Sequence, residues 1–274
     1  PQTDQAWLTV LDVGQGQAIV IETKSSVLVY DTGAKMGTSM DGAKLAVLPY
    51  LKSQGWGKVD TLVISHSDSD HSGGTLSLVQ TLPVTQYLSG QPKIMNQRLQ
   101  ANAEQLNIKQ VADMPIFSLC QAGQTWQVDG VLFEMLSPTL AEIGERLTTD
   151  NDLSCVLKMT ASQQSVLITG DLSQRGEALL IEQLAQNQQA LKSDLLIAGH
   201  HGSKSSTGQA WLNQVAANKV VFSSGYLNRY HFPNKAVLQR IESQSENQQG
   251  NPLQTKPISW WNTACSGALQ FKVT

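Results

Sequence analysis

Residues 65–74 read Ser-His-Ser-Asp-Ser-Asp-His-Ser-Gly-Gly and follow an apolar run from Val59 to Ile64. Four side chains able to hold a cation, His66, Asp68, Asp70 and His71, fall within six of these residues. A strand that stops at Ser65 delivers His66 and Asp68, two apart, to one face at the end of a sheet. Asp70 and His71 then lie in the loop, free to aim at a neighbouring point. Two such clusters suit a pair of cations, which stand about 3.5–4 Å apart where both act on one substrate. A Ser/Asp-rich surface turn would account for the acids but not for the histidines: the chain has five, and two are here.

The other three histidines also follow apolar runs. Leu195 to Ala198 leads into Gly199-His200-His201-Gly202-Ser203-Lys204-Ser205-Ser206, and Val220 to Ser223 leads to Gly225-Tyr226-Leu227-Asn228-Arg229-Tyr230-His231-Phe232-Pro233. Two acids close further strands: Asp31 follows Val27 to Tyr30, and Asp171 follows Ser165 to Thr169 through Gly170. Each would be an ordinary turn on its own. Taken with the histidine loops, Asp171 has a sharper reading, because a carboxylate bridges two cations where an imidazole does not.

The pattern His-x-Asp-x-Asp-His resembles the metallo-β-lactamase signature His-x-His-x-Asp-His, with Asp68 in the second His position. Adding His-His-Gly-Ser at 200–203, Asn228 and His231 ahead of Pro233, and Asp12-Val13-Gly14-Gln15-Gly16 near the start, the chain resembles the C-terminal domain of the ComEC family, the inner-membrane DNA channel of natural competence. The likeness spans most of the chain and is weakest from Tyr87 to Gly130. It implies an α/β fold of αββα sandwich type, one domain over residues 1–274 cut from a larger membrane protein. That protein's soluble part would stand on the periplasmic or extracytoplasmic face of the cytoplasmic membrane. A start at Pro1-Gln2-Thr3, without Met, fits an excised fragment or a processed chain.

The resemblance also implies a ligand set. His66, Asp68 and one of His200 or His201 would hold one cation, Asp70, His71 and His231 the other, with Asp171 between them. The sequence alone does not separate His200 from His201; likeness to the phosphodiesterase branch makes His201 the ligand and His200 a catalytic side chain, beside Asp70 and Asn228. Asp31 would orient a ligating histidine from behind. Asn151-x-x-Ser154 is either the counterpart of the family's Asn-Asn-x-Ser, supporting the site, or a plain polar entry to the next strand. Gln17 stands where the family usually has Asp.

Oxygen-rich ligands favour Mn²⁺ while the imidazoles keep Zn²⁺ in contention. Two divalent cations suit in-line displacement at phosphorus, with His200, if protonated, stabilising charge or donating to the leaving oxygen and Asn228 holding a non-bridging oxygen. Lys204, Arg229 and Ser203 would meet adjacent phosphates, or Lys204 and Arg229 are ordinary solvated charges. The expected function is a nuclease that degrades DNA, single strands preferred, beside the channel part of the same protein. Two other readings are a phosphodiesterase for a small or cell-surface ester such as phosphorylcholine, and a non-catalytic, metal-stabilised domain that guides DNA.

The elements that must position these residues follow from pattern. Trp7 to Val13, Gln17 to Glu22 and Val27 to Tyr30 read as a meander in which Gly14 and Gly16 make a tight turn; no Lys-Ser/Thr follows to make it a phosphate cradle. Helices are expected over Ala43–Gln54, interrupted at Pro49, and over Thr75–Leu82, Asn96–Leu106 and Gln174–Ala185. Further strands are expected over Val84–Leu88, Gly130–Leu136 and Leu153–Met159, with Trp260–Val273 as a closing strand pair and Gln244–Thr255 as a mobile surface loop. Strand, ligand loop, helix is an order that puts a site at the C-terminal edge of a sheet.

Hydrophobic residues make up 41% of the 274, enough for a sizeable core, and a formal charge of −3 excludes a globally basic nucleic-acid binder. No run of about 18 apolar residues or leader pattern occurs, so no membrane insertion is expected of this stretch. The three cysteines show no CxxC spacing. Cys155 reads as a small buried hydrophobe, and a Cys120–Cys265 bridge is neither required nor excluded.

Overall fold

Two seven-stranded sheets carry the chain. In the first, β1 (Ala6–Val10), β2 (Ile19–Glu22) and β3 (Val27–Tyr30) form an antiparallel meander. A small hairpin of β4 (Lys35–Met36) and β5 (Met40–Asp41) follows. Then β6 (Val59–Ile64), β7 (Val84–Ser89) and β8 (Ser118–Leu119) add in parallel to β3. The second sheet repeats the plan: β9 (Thr125–Val128), β10 (Val131–Ser137), β11 (Val156–Ala161) and β12 (Gln164–Ile168) run antiparallel. Next β13 (Leu195–Ile197), β14 (Lys219–Phe222) and β15 (Ser259–Asn262) add in parallel. β16 (Leu269–Val273) returns to pair with β1. The structure is a computed structural model and describes residues 1–102, 114–140, 142, 149–187, 189–247 and 257–274.

Strand patterning dictates the layers. β10 alternates buried with half-buried residues, as a strand with one covered face does, whereas β2 and β3 are buried at every position, as strands covered on both faces are. One apolar cluster fills the space between the sheets, including Leu8, Ile21, Tyr30, Phe133, Leu157 and Ile168. A second lies outside the first sheet, under α1 (Leu48–Ser53), α3 (Thr75–Thr81) and α4 (Pro92–Ala101), the single-turn α2 (Ser69–Ser72) preceding α3. The third lies outside the second sheet, under α5 (Gln174–Gln183), α6 (Gln209–Val215) and α7 (Lys235–Asn247). Helix, sheet, sheet, helix is the expected αββα sandwich. No helix among the described residues is long and apolar enough to cross a membrane.

At Pro49 the helix changes type and does not stop: a π-helical turn, Ala43–Val47, runs into α1, whose first turn holds the proline. The helix expected to Leu106 ends at Ala101, and its remainder lies outside the described residues, as does most of the loop expected over Gln244–Thr255. Within that loop Gln244 to Asn247 belong to α7, and Gln244 is buried with its amide donating to Leu212 O at 3.0 Å. The last two strands do not pair with each other, since β15 joins the second sheet and β16 the first. Cys155 is buried but not as a free thiol. It is bridged to Cys120, which follows the edge strand β8 above the start of β11, at a Cα separation of 5.8 Å. Cys265 is exposed and unbridged.

Candidate metal centre

The parallel strands all end at one rim, where the loops after β3, β6, β12 and β13 meet. After β6, Ser65 turns the chain: its N–H donates to Asp31 Oδ1 at 2.7 Å and its hydroxyl to Asp31 Oδ2 at 2.8 Å. The metal loop then winds into a single turn, Ser69–Ser72, against the Gly14–Gly16 loop. Gly16 has φ 144°, and a Cβ there would lie 2.5 Å from the Asp70 carbonyl, which instead accepts from Gln17 N at 3.0 Å. Close backbone approach is thus the function of that glycine.

Three imidazoles are set alike. His71 Nδ1 donates to Asp31 Oδ2 at 2.7 Å, and His201 Nδ1 donates to the Ser223 carbonyl at 2.8 Å. His66 Nδ1 meets the Ser65 hydroxyl at 3.0 Å, whose own proton goes to Asp31. Each partner holds the ring proton on Nδ1 and leaves the Nε2 lone pair facing inward. The three Nε2 atoms converge on Asp171: His71 is 3.0 Å and His201 3.7 Å from Oδ1, and His66 is 3.9 Å from Oδ2. His66 Nε2 and Asp171 Oδ1 are buried without a hydrogen bond, the latter despite its short approach to His71. Polar atoms this deeply buried are ordinarily paired.

His200 is set the other way. Asn151 Nδ2 can only donate, so at 3.3 Å it makes His200 Nδ1 an acceptor and leaves the proton on Nε2, 3.6 Å from Asp171 Oδ2. His200 and His201 are consecutive non-glycine residues at φ 51° and 57°. Left-handed backbone of this kind costs about 1–3 kcal/mol per residue and persists where surrounding structure enforces it, as at active sites.

Electrostatics follow from this packing. Burial alone would raise the Asp171 carboxyl, but His71, His201 and His66 outweigh it and hold it well below the carboxylate range. Burial likewise works against charge on His71, and Asp171 and Asp31 overcome it, so its pKa lies well above that of a free imidazole. Asp70 is drawn down to about 2, His201 and His71 overriding its burial. His200 goes down: its burial, with His201 and His71 nearby, outweighs the pull of Asp171. His200 is therefore neutral at neutral pH.

Among the described residues, two donor groups have ligand atoms within 4.8 Å of one another: His66, His71 and Asp171, and Asp70, His71 and His201. His201 keeps company with Asp70, 3.2 Å away, and not with His66 and Asp68 as the sequence-based partition had it. Asp68 is half exposed, 3.5 Å from His66 Nε2.

Several expected residues stand elsewhere. His231 is exposed and in neither donor group, on the outer turn that Asn228 closes. Asn228 is consumed in closing that turn: its amide donates to the carbonyls of Gly225 and Phe232 and accepts from Phe232 N, leaving no donor for a phosphoryl oxygen. Ser203 is buried and bonds Ser205. Lys204 is exposed, and its carbonyl, not its ammonium, is what Gln174 and Arg240 hold. Arg229 lies over the Tyr230 ring. Asp31 and Asn151 act on imidazoles as described, and Ser154 Oγ accepts from Asp171 N at 3.1 Å. Ser65 was not anticipated, although its place before His66 at a strand end is a signal. Ser223 acts through a main-chain carbonyl and has no signal in sequence.

Residues 11–225 match the family model of the metallo-beta-lactamase superfamily. The chain belongs to that superfamily. It is 34% identical over 268 residues to competence protein ComA of Neisseria gonorrhoeae, an alignment covering 98% of this chain and 32% of that protein. To recombination protein 2 of Haemophilus influenzae it is 33% identical over 234 residues, covering 84% and 26%. The chain thus spans a third or less of the length of these curated relatives. Its fold is shared with the metallo-beta-lactamase fold protein YhfI of Bacillus subtilis, at TM-score 0.57 and 13% identity over 98% of this chain and 99% of that one. Superfamily membership implies divalent metal binding. The imidazole nitrogens and carboxylate gathered at Asp171 fit such a cation, since they are the donor types it needs and the buried His66 Nε2 has no hydrogen bond.

Proposed function

We propose that this chain is a metal-dependent phosphodiesterase acting on DNA. The observation that carries the reading is the opposed setting of the two neighbouring imidazoles, His201 presenting a lone pair inward and His200 a proton, around a buried carboxylate. His66, His71, His201, Asp70 and Asp171 would hold two cations, Mn²⁺ or Zn²⁺, with Asp68 at the open side and Asp171 within reach of His66, His71 and His201. Divalent cations there would polarise phosphoryl oxygens and make a water nucleophilic near neutral pH.

The protein's own share is placement and hydrogen bonding. Asp31, Ser65 and the Ser223 carbonyl fix ring orientation. His200, neutral with its single proton on Nε2 and 30% of its side chain exposed, is the group at the mouth able to hydrogen-bond a charged phosphoryl or departing oxygen through that N–H without giving the proton up. The competence and recombination names of the relatives favour DNA over a small ester. The buried Cys120–Cys155 bridge favours an oxidising compartment, in keeping with the extracytoplasmic face.

Single- and double-stranded DNA and small diesters, each incubated with the purified chain and Mn²⁺, Zn²⁺ or Mg²⁺, test the reading. DNA cleavage that requires added metal and falls by about 10² or more in His200→Ala supports it. Cleavage of small diesters but never of DNA transfers the function to a small-ester phosphodiesterase, and binding of DNA without any hydrolysis leaves only a guiding domain.

A further inference from the structure

The loop from Gly225 to Pro233 leaves β14 beside the metal centre and carries three large apolar side chains in solvent: Tyr226, Leu227 and Tyr230, exposed to 75%, 84% and 47%. The arrangement is enforced. Leu227 and His231 are held at φ 50° and 56°, and Asn228 ties Gly225 to Phe232 from within. Apolar surface held out by a braced loop marks an interaction site more often than a packing accident.

The rings form a column running inward. Tyr230 stacks on Phe232 with centroids 5.3 Å apart and planes at 17°. Phe232 in turn faces His201 at 6.4 Å and 24° and meets His200 edge-on at 6.0 Å. On the solvent side the Arg229 guanidinium lies 4.8 Å from the Tyr230 centroid and bonds its hydroxyl.

We propose that this column is a nucleobase-stacking subsite for single-stranded nucleic acid, taking a base onto Tyr230 while Arg229 moves to the adjoining phosphate. The inference rests on the phosphodiesterase reading and names how its substrate is held. A cation over an exposed ring is worth about 2- to 5-fold, whereas a base on an aromatic ring is worth about 5- to 150-fold, so the base displaces the guanidinium. The base would then stand two ring layers from His201. Bases within a duplex are stacked on both faces and have none to offer, so the subsite selects single strands. Parallel rings topped by a planar cation and continuous with the site imidazoles favour a base over lipid, which needs no such stacking.

Binding of short single strands carrying 2-aminopurine, whose emission is quenched on stacking, tests this without turnover, next to strands of the same length made of abasic residues. Wild type and Tyr230→Phe should quench the probe and bind base-bearing strands about 5-fold or more tightly than abasic ones. Tyr230→Ala should lose both. A Tyr230→Ala protein that keeps the wild-type ratio and quenching overturns the subsite, as does a variant whose only defect is binding to phosphatidylglycerol vesicles, which would make the loop a membrane contact. Quenching by a chain that cleaves no DNA overturns the nuclease reading alone; DNA cleavage with no preference for base-bearing strands overturns the subsite alone.

Discussion

The two halves of the molecule share one plan, a meander followed by parallel strands, and use it to opposite ends. In the first half the strand that closes the meander ends in Asp31, and the next parallel strand delivers Ser65, His66 and, through the loop, His71. In the second half the corresponding strand runs into Asp171, and the next delivers His200 and His201. Asp31 reaches the Nδ1 side of an imidazole and a serine, so it can only aim a ring; Asp171 faces the Nε2 atoms, where the proposed cations would sit. The first half's histidines sit on relaxed backbone, whereas the second half's pair is strained at both positions. Equal topology therefore does not make equal chemistry. What differs is which side of the imidazole the carboxylate meets.

Exchanging the two acids for neutral residues should break the comparison most. Asp171→Asn removes the charge that faces both donor groups, so both cations should be lost together and hydrolysis should fall by at least about 10². Asp31→Ala removes an orienting partner, and a loss of about 10- to 100-fold in metal affinity is expected with the stoichiometry reached at higher concentration intact. Elemental analysis across a metal titration reads both. Equal loss in the two variants would mean that Asp31 and Asp171 are not different in kind.

The strained pair sharpens the contrast within the second half. His201→Ala should reduce bound metal, because its lone pair enters the group with Asp70 and His71. His200→Ala should keep the metal and slow turnover, because Asn151 commits its inward nitrogen to a proton. Metal content and rate measured on both variants separate them, and a His200→Ala protein that loses metal reverses the assignment.

How much of this was legible depends on whether the information is local. His66, Asp70 and His71 are legible because one strand end and one turn of loop hold them all, and Asp171 because Gly170 marks the end of an apolar run. His231 misled because nearness to a strand end does not give the direction of a side chain; the turn that Asn228 closes sends it to solvent. The pairing of Cys120 with Cys155 depends on the edge strand of one sheet crossing the start of a strand in the other, and that stacking leaves no periodicity in the sequence. The fates of β15 and β16, one to each sheet, are likewise settled by partners that lie far away along the chain. Ser223 contributes a carbonyl, which every residue has.

The smallest expected effect concerns how the two halves brace their loops. In the first half Asp31 braces the ligand loop from inside the site. In the second half the strained loop is held from its far end by Glu177, a buried carboxylate accepting from Thr207 N and Gly208 N at 2.5 and 2.9 Å. Burial pushes Glu177 up from 4.5 to about 7, more than these two donors and Arg240 pull it down. The folded chain therefore holds this proton more tightly than the unfolded chain. Its contribution to stability is whole below pH about 4.5 and is lost progressively as pH rises to about 7, a total of roughly 3 kcal/mol at most. Glu177→Gln cannot ionise, and its amide nitrogen faces one of the two N–H groups, so it should be less stable than wild type at pH 4.5 with a gap that narrows toward pH 7.5. Thermal unfolding of both proteins across that range gives the gap directly. A gap independent of pH would mean that Glu177 titrates as an ordinary surface acid and that the histidine loop is braced elsewhere.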